Sequence, residues 1–293
     1  MGPMSVPAPN LTARARGLLD RVPAPLLFIA SGSSSYVGAG FAVTLFALMP
    51  PTTVAWWRVS IGTVVLLAWR RPWRRPWTPR ALATAALFGV ATATMNVIFY
   101  ASIRYLPLGT AVSLEFVGPV AVALTTGRGW RPRVAAALAL AGVVSISGLG
   151  LDLTDAGQRT GVLLALAAGT AWACYILLGR KVAAAGSGLD SLAVACLAGS
   201  LFYLPLALPT AGAALGTVTT ALTVLGVGLA STVVPFVLDQ VTLKRLQTAT
   251  FSLLSALLPA TSLAVGVLML RQLPNVWELL GLALVSVAVA LSR

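Results

Sequence analysis

The sequence predicts an all-α integral membrane protein of ten transmembrane helices arranged as two inverted five-helix repeats. Three observations carry this. Of 293 residues, 58% are hydrophobic and only 9% charged, and the mean hydropathy is +0.92. A helix crosses a bilayer with about 20 mostly apolar residues, and the chain offers ten such runs: 25–48, 52–69, 81–103, 107–126, 133–151, 160–179, 190–209, 218–240, 247–270 and 275–292. The chain also matches itself at an offset near 140. Leu106, Thr110, Leu114 and Pro119 align with Leu246, Thr250, Leu254 and Pro259, while Tyr36, Gly40 and Gly142 align with Tyr175, Gly179 and Gly281. Each half holds five runs, an odd number, so the second half must enter the membrane from the opposite side.

The elements follow in order. Residues 1–24 form a Pro-rich flexible tail with Arg14, Arg16 and Arg21. The apolar run behind them is too long for a signal peptide and has no small-residue cleavage site, so it is read as an uncleaved first span. Asn10-Leu11-Thr12 fits a glycosylation pattern but lies on this cytoplasmic tail. The first repeat covers 25–151 and the second 160–292. In span one, Gly32-Ser-Ser-Ser35 lacks the second glycine of a nucleophile elbow and reads as a face for close helix approach. Trp56 and Trp57 mark the outer end of span two, and Trp69, Trp73 and Trp77 its inner end, as interfacial belts do. Tyr105 and Trp130 flank span four in the same way. In span three, Thr92, Asn96 and Tyr100 share a face at four-residue spacing, either lining a pore or bonding between helices.

Span four holds the most informative residue, Glu115. A charge at the bilayer centre costs roughly 2.5–3.5 kcal/mol or more, so it normally turns toward water or a partner. Pro119 has no N–H, so the Glu115 carbonyl loses its helical donor and two acceptors open at one depth. Arg58 in span two and Glu115 lie roughly 9 and 12 Å below the outer ends of their spans at 1.5 Å per residue. That allows an ion pair, either structural or functional. Trp172 and Tyr175 in span six stand three apart, as an aromatic wall or a core stripe. Pro205 and Pro209 shape the outer end of span seven. Pro235 in span eight frees the Ser231 carbonyl and marks that span as breakable. Asp239 and Gln240, beside Lys244 and Arg245, read as an inner gate or interface anchor. Span nine carries Ser255 and Pro259 where span four carries Glu115 and Pro119, so the related sites differ chemically. Glu278 near the outer end of span ten is expected to be solvated.

The net charge is +13, but its placement argues against nucleic acid. With the N-terminus inside, sixteen of the twenty Lys and Arg residues fall on the cytoplasmic side. Arg104, Arg159 and Arg271 fall outside and Arg58 lies within a span. That is the positive-inside bias, and it provides contacts for anionic lipid at the cytoplasmic face. The chain has no histidine, which removes Ser-His-Asp triads and HExxH zinc sites. It has no P-loop pattern for ATP. Gly148-Leu-Gly-Leu-Asp152 misses the aspartyl intramembrane protease spacing by one residue. No enzyme, metal or cofactor is expected. Cys174 and Cys196 fall within spans and read as free thiols.

The run Asn96-Val-Ile-Phe-Tyr100 through Pro107-Leu-Gly-Thr-Ala-Val-Ser-Leu-Glu115-Phe-Val-Gly-Pro119 resembles the drug/metabolite transporter superfamily. More narrowly, it is similar to the EamA-domain, threonine/homoserine exporter (RhtA-type) branch. Gly169-Thr-Ala-Trp-Ala-Cys-Tyr-Ile176 resembles the start of that family's second repeat. The likeness covers about residues 25–292 and implies a ten-helix exporter of small metabolites in the plasma (inner) membrane, with amino acids as the expected substrates. Two departures bear on substrate and coupling rather than fold: Ser255-Ala-Leu-Leu-Pro259 where many relatives place a glutamate, and Leu270-Arg271-Gln272 where many have Gly-Glu.

The expectation is therefore a secondary transporter working by alternating access between the repeats. Glu115 would bind a substrate ammonium or exchange a proton, Tyr100 and Asn96 would hydrogen-bond the substrate, and Arg58 would tune Glu115 or meet a carboxylate. Trp172, Tyr175 and Ser255 complete the candidate site, with Pro119, Pro259 and Pro235 as helix breakers beside it. Broad drug or cation efflux, a lipid-linked flippase and a non-transporting scaffold are the alternatives.

Overall fold

The computed structural model describes residues 22–126, 129–145, 151–184, 188–245 and 257–291, and these are helical with short connections. The helices are α1 (Ala24–Leu45), α2 (Pro51–Arg70), α3 (Pro79–Ser102), α4 (Leu108–Glu115), α5 (Val117–Thr126), α6 (Arg131–Val144), α7 (Ala156–Ala184), α8 (Gly188–Ala211), α9 (Val218–Gly228), α10 (Val234–Arg245), α11 (Leu257–Leu270) and α12 (Val276–Leu291). Span four is the pair α4 and α5. Span eight is α9 and α10 joined by a π-turn at Leu229–Val233.

Proline and threonine set several starts. Pro51 and Pro79 open α2 and α3, where the missing N–H costs nothing because no acceptor precedes it. Thr78 and Thr217 cap α3 and α9, accepting from Ala81 N at 3.2 Å and Thr220 N at 3.1 Å. Asn275 and Glu278 cap α12 reciprocally: Asn275 Oδ1 accepts from Glu278 N at 2.8 Å, and Glu278 Oε2 from Asn275 N at 2.9 Å. This is a capping box with Asn in the first position.

Six helical stretches are long and apolar enough to cross a membrane: Leu26–Leu45, Pro51–Arg74, Pro79–Ser102, Ala156–Gly179, Gly188–Leu215 and Val218–Asp239. The other apolar helices, Leu108–Val122, Arg133–Gly142, Thr261–Leu270 and Val276–Ala288, are shorter among the described residues. Large apolar side chains face outward, and the interior holds polar groups within an apolar core. Val64, Leu163, Leu201, Leu208 and Leu222 are exposed, while Arg58, Asn96, Glu115, Ser231 and Thr232 are buried. Lipid solvates the first set, and the second finds partners inside.

The packing pairs are specific. α2 lies on α8, α4 on α11 and α6 on α12. α1 lies against α10 and α11, and α7 against α3, α4 and α5. Trp56 and Trp57 belong to these contacts rather than to an interfacial belt. Their Nε1 atoms donate to Ser200 O at 2.8 Å and Ala211 O at 3.1 Å, stitching α2 to α8. Thr53 and Thr210 hydroxyls, 2.6 Å apart, extend the seam. Cys174 and Cys196 are free thiols, one exposed and one buried.

Candidate functional site

Span four breaks where its proline requires. α4 ends at Glu115, Phe116 is a turn residue, and α5 resumes at Val117. Phe116 N still bonds Val112 O at 3.1 Å and Val120 N bonds Phe116 O at 3.2 Å, but Pro119 leaves the Glu115 carbonyl without its helical donor. That carbonyl faces α7. A Cβ on Gly169 would sit 2.6 Å from it, and a Cβ on Gly118 would overlap the Gly169 carbonyl. Backbone therefore touches backbone at this crossing, and only glycine fits on either side. Three residues beyond Gly169, Trp172 packs edge-on against Phe116, with ring centroids 5.0 Å apart. The Glu115 side chain is 7% exposed, enclosed between these elements.

Arg58 does not pair with Glu115. No ion pair joins them among the described residues. The guanidinium grips span eight instead. Its Nε donates to Thr232 Oγ1 at 3.0 Å, and its Nη2 donates to the Ser231 carbonyl. That carbonyl is the one Pro235 sets free, since residue 235 would otherwise donate to it. The adjoining turn is held in the same manner from α1: Ser34 Oγ donates to Ala230 O at 2.6 Å. A π-turn is often found at functional sites, and here hydroxyl and guanidinium donors from the first half satisfy its carbonyls.

Arg58 also lies over the Tyr100 ring, with Cζ 5.2 Å from the centroid. Tyr100 is completely buried, and its hydroxyl has no hydrogen-bond partner among the described residues. Such a group costs stability unless something else meets it. Asn96, one turn back, gives its Nδ2 to Thr92 O at 2.8 Å, and the whole Thr92–Asn96–Tyr100 face is buried.

The remaining expected residues divide. Trp172 packs on Phe116, but Tyr175 stacks on Phe88 at 5.0 Å and 26°, so the two do not make one wall. Pro259 is buried in α11, and Ser255 lies outside the described residues. Asp239 lies in α10, where Ser31 Oγ of α1 donates to its Oδ1 at 2.6 Å and also reaches the Pro235 carbonyl at 3.3 Å. Glu278 is buried at 8% exposure rather than solvated. Its Oε1 accepts from Thr110 Oγ1 at 2.5 Å and ties α12 to α4. Beside it, Leu108 N donates to Gln272 Oε1 at 2.9 Å. Among the described residues, no cluster of histidine, cysteine or carboxylate side chains is arranged to hold a metal.

The structure thus buries an acid at one proline-broken helix, and a guanidinium that holds the second broken helix lies over a phenol whose hydroxyl has no hydrogen-bond partner among the described residues. Comparisons with known proteins agree with a transport role. The model of the EamA-like transporter family matches residues 159–293. The chain is 35% identical over 267 residues to the threonine/homoserine exporter RhtA of Escherichia coli K12, covering 91% of this chain and 90% of that one. It is 35% identical over 247 residues to RhtA of Salmonella typhimurium LT2, covering 84% and 83%. A crystal structure described only as that of a protein matches with a TM-score of 0.63 at 19% identity, over 92% of this chain and 95% of that one. That last likeness speaks to fold alone.

Proposed function

The chain belongs to the EamA-like transporter family, and on that premise we propose that it exports amino acids of the threonine/homoserine type across the plasma (inner) membrane. The observation that carries the reading is Glu115, buried at a helix break, in a chain with full-length likeness to exporters of those amino acids. A zwitterion presents an ammonium and a carboxylate. Glu115 suits the first. The Tyr100 hydroxyl, with no partner among the described residues, and the guanidinium above its ring suit the second. Asn96 lies one turn from Tyr100 on the same face.

Alternating access is the proposed mechanism, with two inverted five-helix repeats rocking about this site. The packing supports an internal two-fold, and five spans per half make that two-fold an inversion. Repeat-related helices meet each other across the molecule (α2 with α8, α4 with α11, α6 with α12), as they do around a local two-fold axis. The aligned glycines Gly142 and Gly281 touch there: a Cβ on Gly142 would sit 2.8 Å from Gly281 O. The other contacts come in related pairs. α1 on α10 answers α7 on α3, and α1 on α11 answers α7 on α4 and α5. The charge asymmetry supports a cytoplasmic position for both termini. Proton antiport through Glu115 is part of the proposal, because a buried carboxylate can carry either an ammonium or a proton.

The test is counterflow of labelled threonine and homoserine in proteoliposomes, with and without a pH gradient. Wild type should exchange both. Glu115→Gln should lose gradient-driven flux while remaining folded. A mutant that retains full gradient-dependent flux would remove Glu115 from the mechanism, and a wild type that moves neither amino acid would remove the substrate assignment.

A further inference from the structure

The segment joining α2 to α3 carries a tandem motif, Arg71-Pro72-Trp73-Arg74 followed by Arg75-Pro76-Trp77-Thr78. It connects two helices of membrane-crossing length and so lies at the membrane surface. The segment is braced. Arg71 adopts a left-handed conformation (φ 48°) and closes α2 through N–H to Leu67 O at 2.9 Å. Pro72–Arg74 forms a 3-10 turn, Pro72 is buried, and Trp77 Nε1 donates back to Pro72 O at 2.9 Å. Trp73 is left projecting, 64% exposed. At the end of a membrane helix, an exposed indole belongs to the headgroup layer.

Five arginines surround it: Arg70, Arg71, Arg74, Arg75 and Arg80. One acid answers them. Asp190, at the start of α8, takes Arg70 Nε on one oxygen and Arg75 Nη1 on the other, each at 2.8 Å. The Asp190 side chain is 7% exposed, while that of Arg75 is 50% exposed. Arg71, Arg74 and Arg80 are exposed and have no carboxylate partner among the described residues. The patch thus combines three uncommitted cations, one half-exposed cation shared with an internal acid, and a projecting indole. A phosphodiester in the headgroup layer supplies the missing anion.

We propose that this segment is a binding site for the headgroup of an anionic phospholipid in the leaflet it faces. Arg71 and Arg74 are the contact cations and Trp73 the anchor. Asp190 is an internal competitor that holds Arg70 and Arg75 away from the lipid. Because the same acid ties the end of α2 to the start of α8, a headgroup that draws Arg75 outward loosens that clamp.

The test uses the full chain in nanodiscs of phosphatidylcholine with added phosphatidylglycerol. One readout is native mass spectrometry of retained lipid. The other is quenching of Trp73 by brominated phosphatidylglycerol, read as the difference between wild type and Trp73→Phe. Wild type should prefer phosphatidylglycerol, and its Trp73 quenching should exceed that by brominated phosphatidylcholine. Arg71→Gln/Arg74→Gln should weaken the preference by roughly five-fold per arginine. Arg71→Lys/Arg74→Lys should keep most of it, which separates charge from folding. Asp190→Asn should strengthen it by freeing two cations. A glutamine double variant with wild-type preference overturns the site, as does displacement by millimolar inorganic phosphate, which would show no need for a lipid. An Asp190→Asn protein whose preference is unchanged or weaker overturns the competitor role.

Discussion

Arg58 is bound by a proline it never touches. Pro235 withholds a donor from the Ser231 carbonyl, and the guanidinium of another helix supplies one. Hydrogen bonds to charged groups are worth about 1.5–3 kcal/mol. Arg58→Lys keeps the charge but not the fork that reaches Ser231 and Thr232 together. It should therefore lower thermal stability in detergent by roughly that amount, and flux with it. Tyr100 behaves oppositely. Its hydroxyl has no partner among the described residues, so Tyr100→Phe should leave stability unchanged or raise it by about 1–3 kcal/mol, while KM for threonine rises in counterflow assays. A variant that loses stability and keeps KM would assign the hydroxyl a structural role instead. The sequence made the free Ser231 carbonyl legible but not its partner. Depth along two spans says nothing about which way each helix is rotated, and so Arg58 was expected opposite Glu115.

At the scale of elements, spans four and eight carry proline-linked irregular backbone among the described residues. Span four bends at Phe116 because Pro119 follows, and its bend sits where α4 and α5 cross α7 through Gly118 and Gly169. Gly118→Ala would drive a methyl into a backbone carbonyl. It should cost about 1–3 kcal/mol or more, seen as a lower melting temperature in detergent. Gly212→Ala, with open space around it, serves as the neutral control. Span eight carries the π-turn, and Pro235→Ala would return an N–H to compete with Arg58 for Ser231. Hydrogen exchange across 229–235 should then slow while transport falls. Both breaks were foreseeable from proline positions. The π-turn itself was not, because it depends on Ser34 and Arg58 arriving from other helices to satisfy its carbonyls.

The whole molecule is built with apolar residues outward and its charges stored inside or at the two faces. Inversion of the halves makes a direct prediction. In a protein freed of Cys174 and Cys196 by serine replacement, a cysteine at Arg74 and one at Ala213 occupy related loops. They should react with an impermeant thiol reagent from opposite sides of the membrane. Reaction from the same side would make the halves parallel and end the rocking mechanism.

Membrane residence, the family resemblance, the proline breaks and the special status of Glu115 were decided by the sequence itself. Composition and i-to-i+4 bonding are local properties of a chain. The tertiary structure alone decided the rest. It turned Arg58 to span eight, separated Tyr175 from Trp172, buried Glu278 under Thr110, and brought Ser31 onto Asp239. Each of these depends on the rotation of one helix against another. Glycine and serine faces set that rotation at crossings 50 to 200 residues apart in sequence, and hydrophobic periodicity does not report it when every face of a helix is apolar.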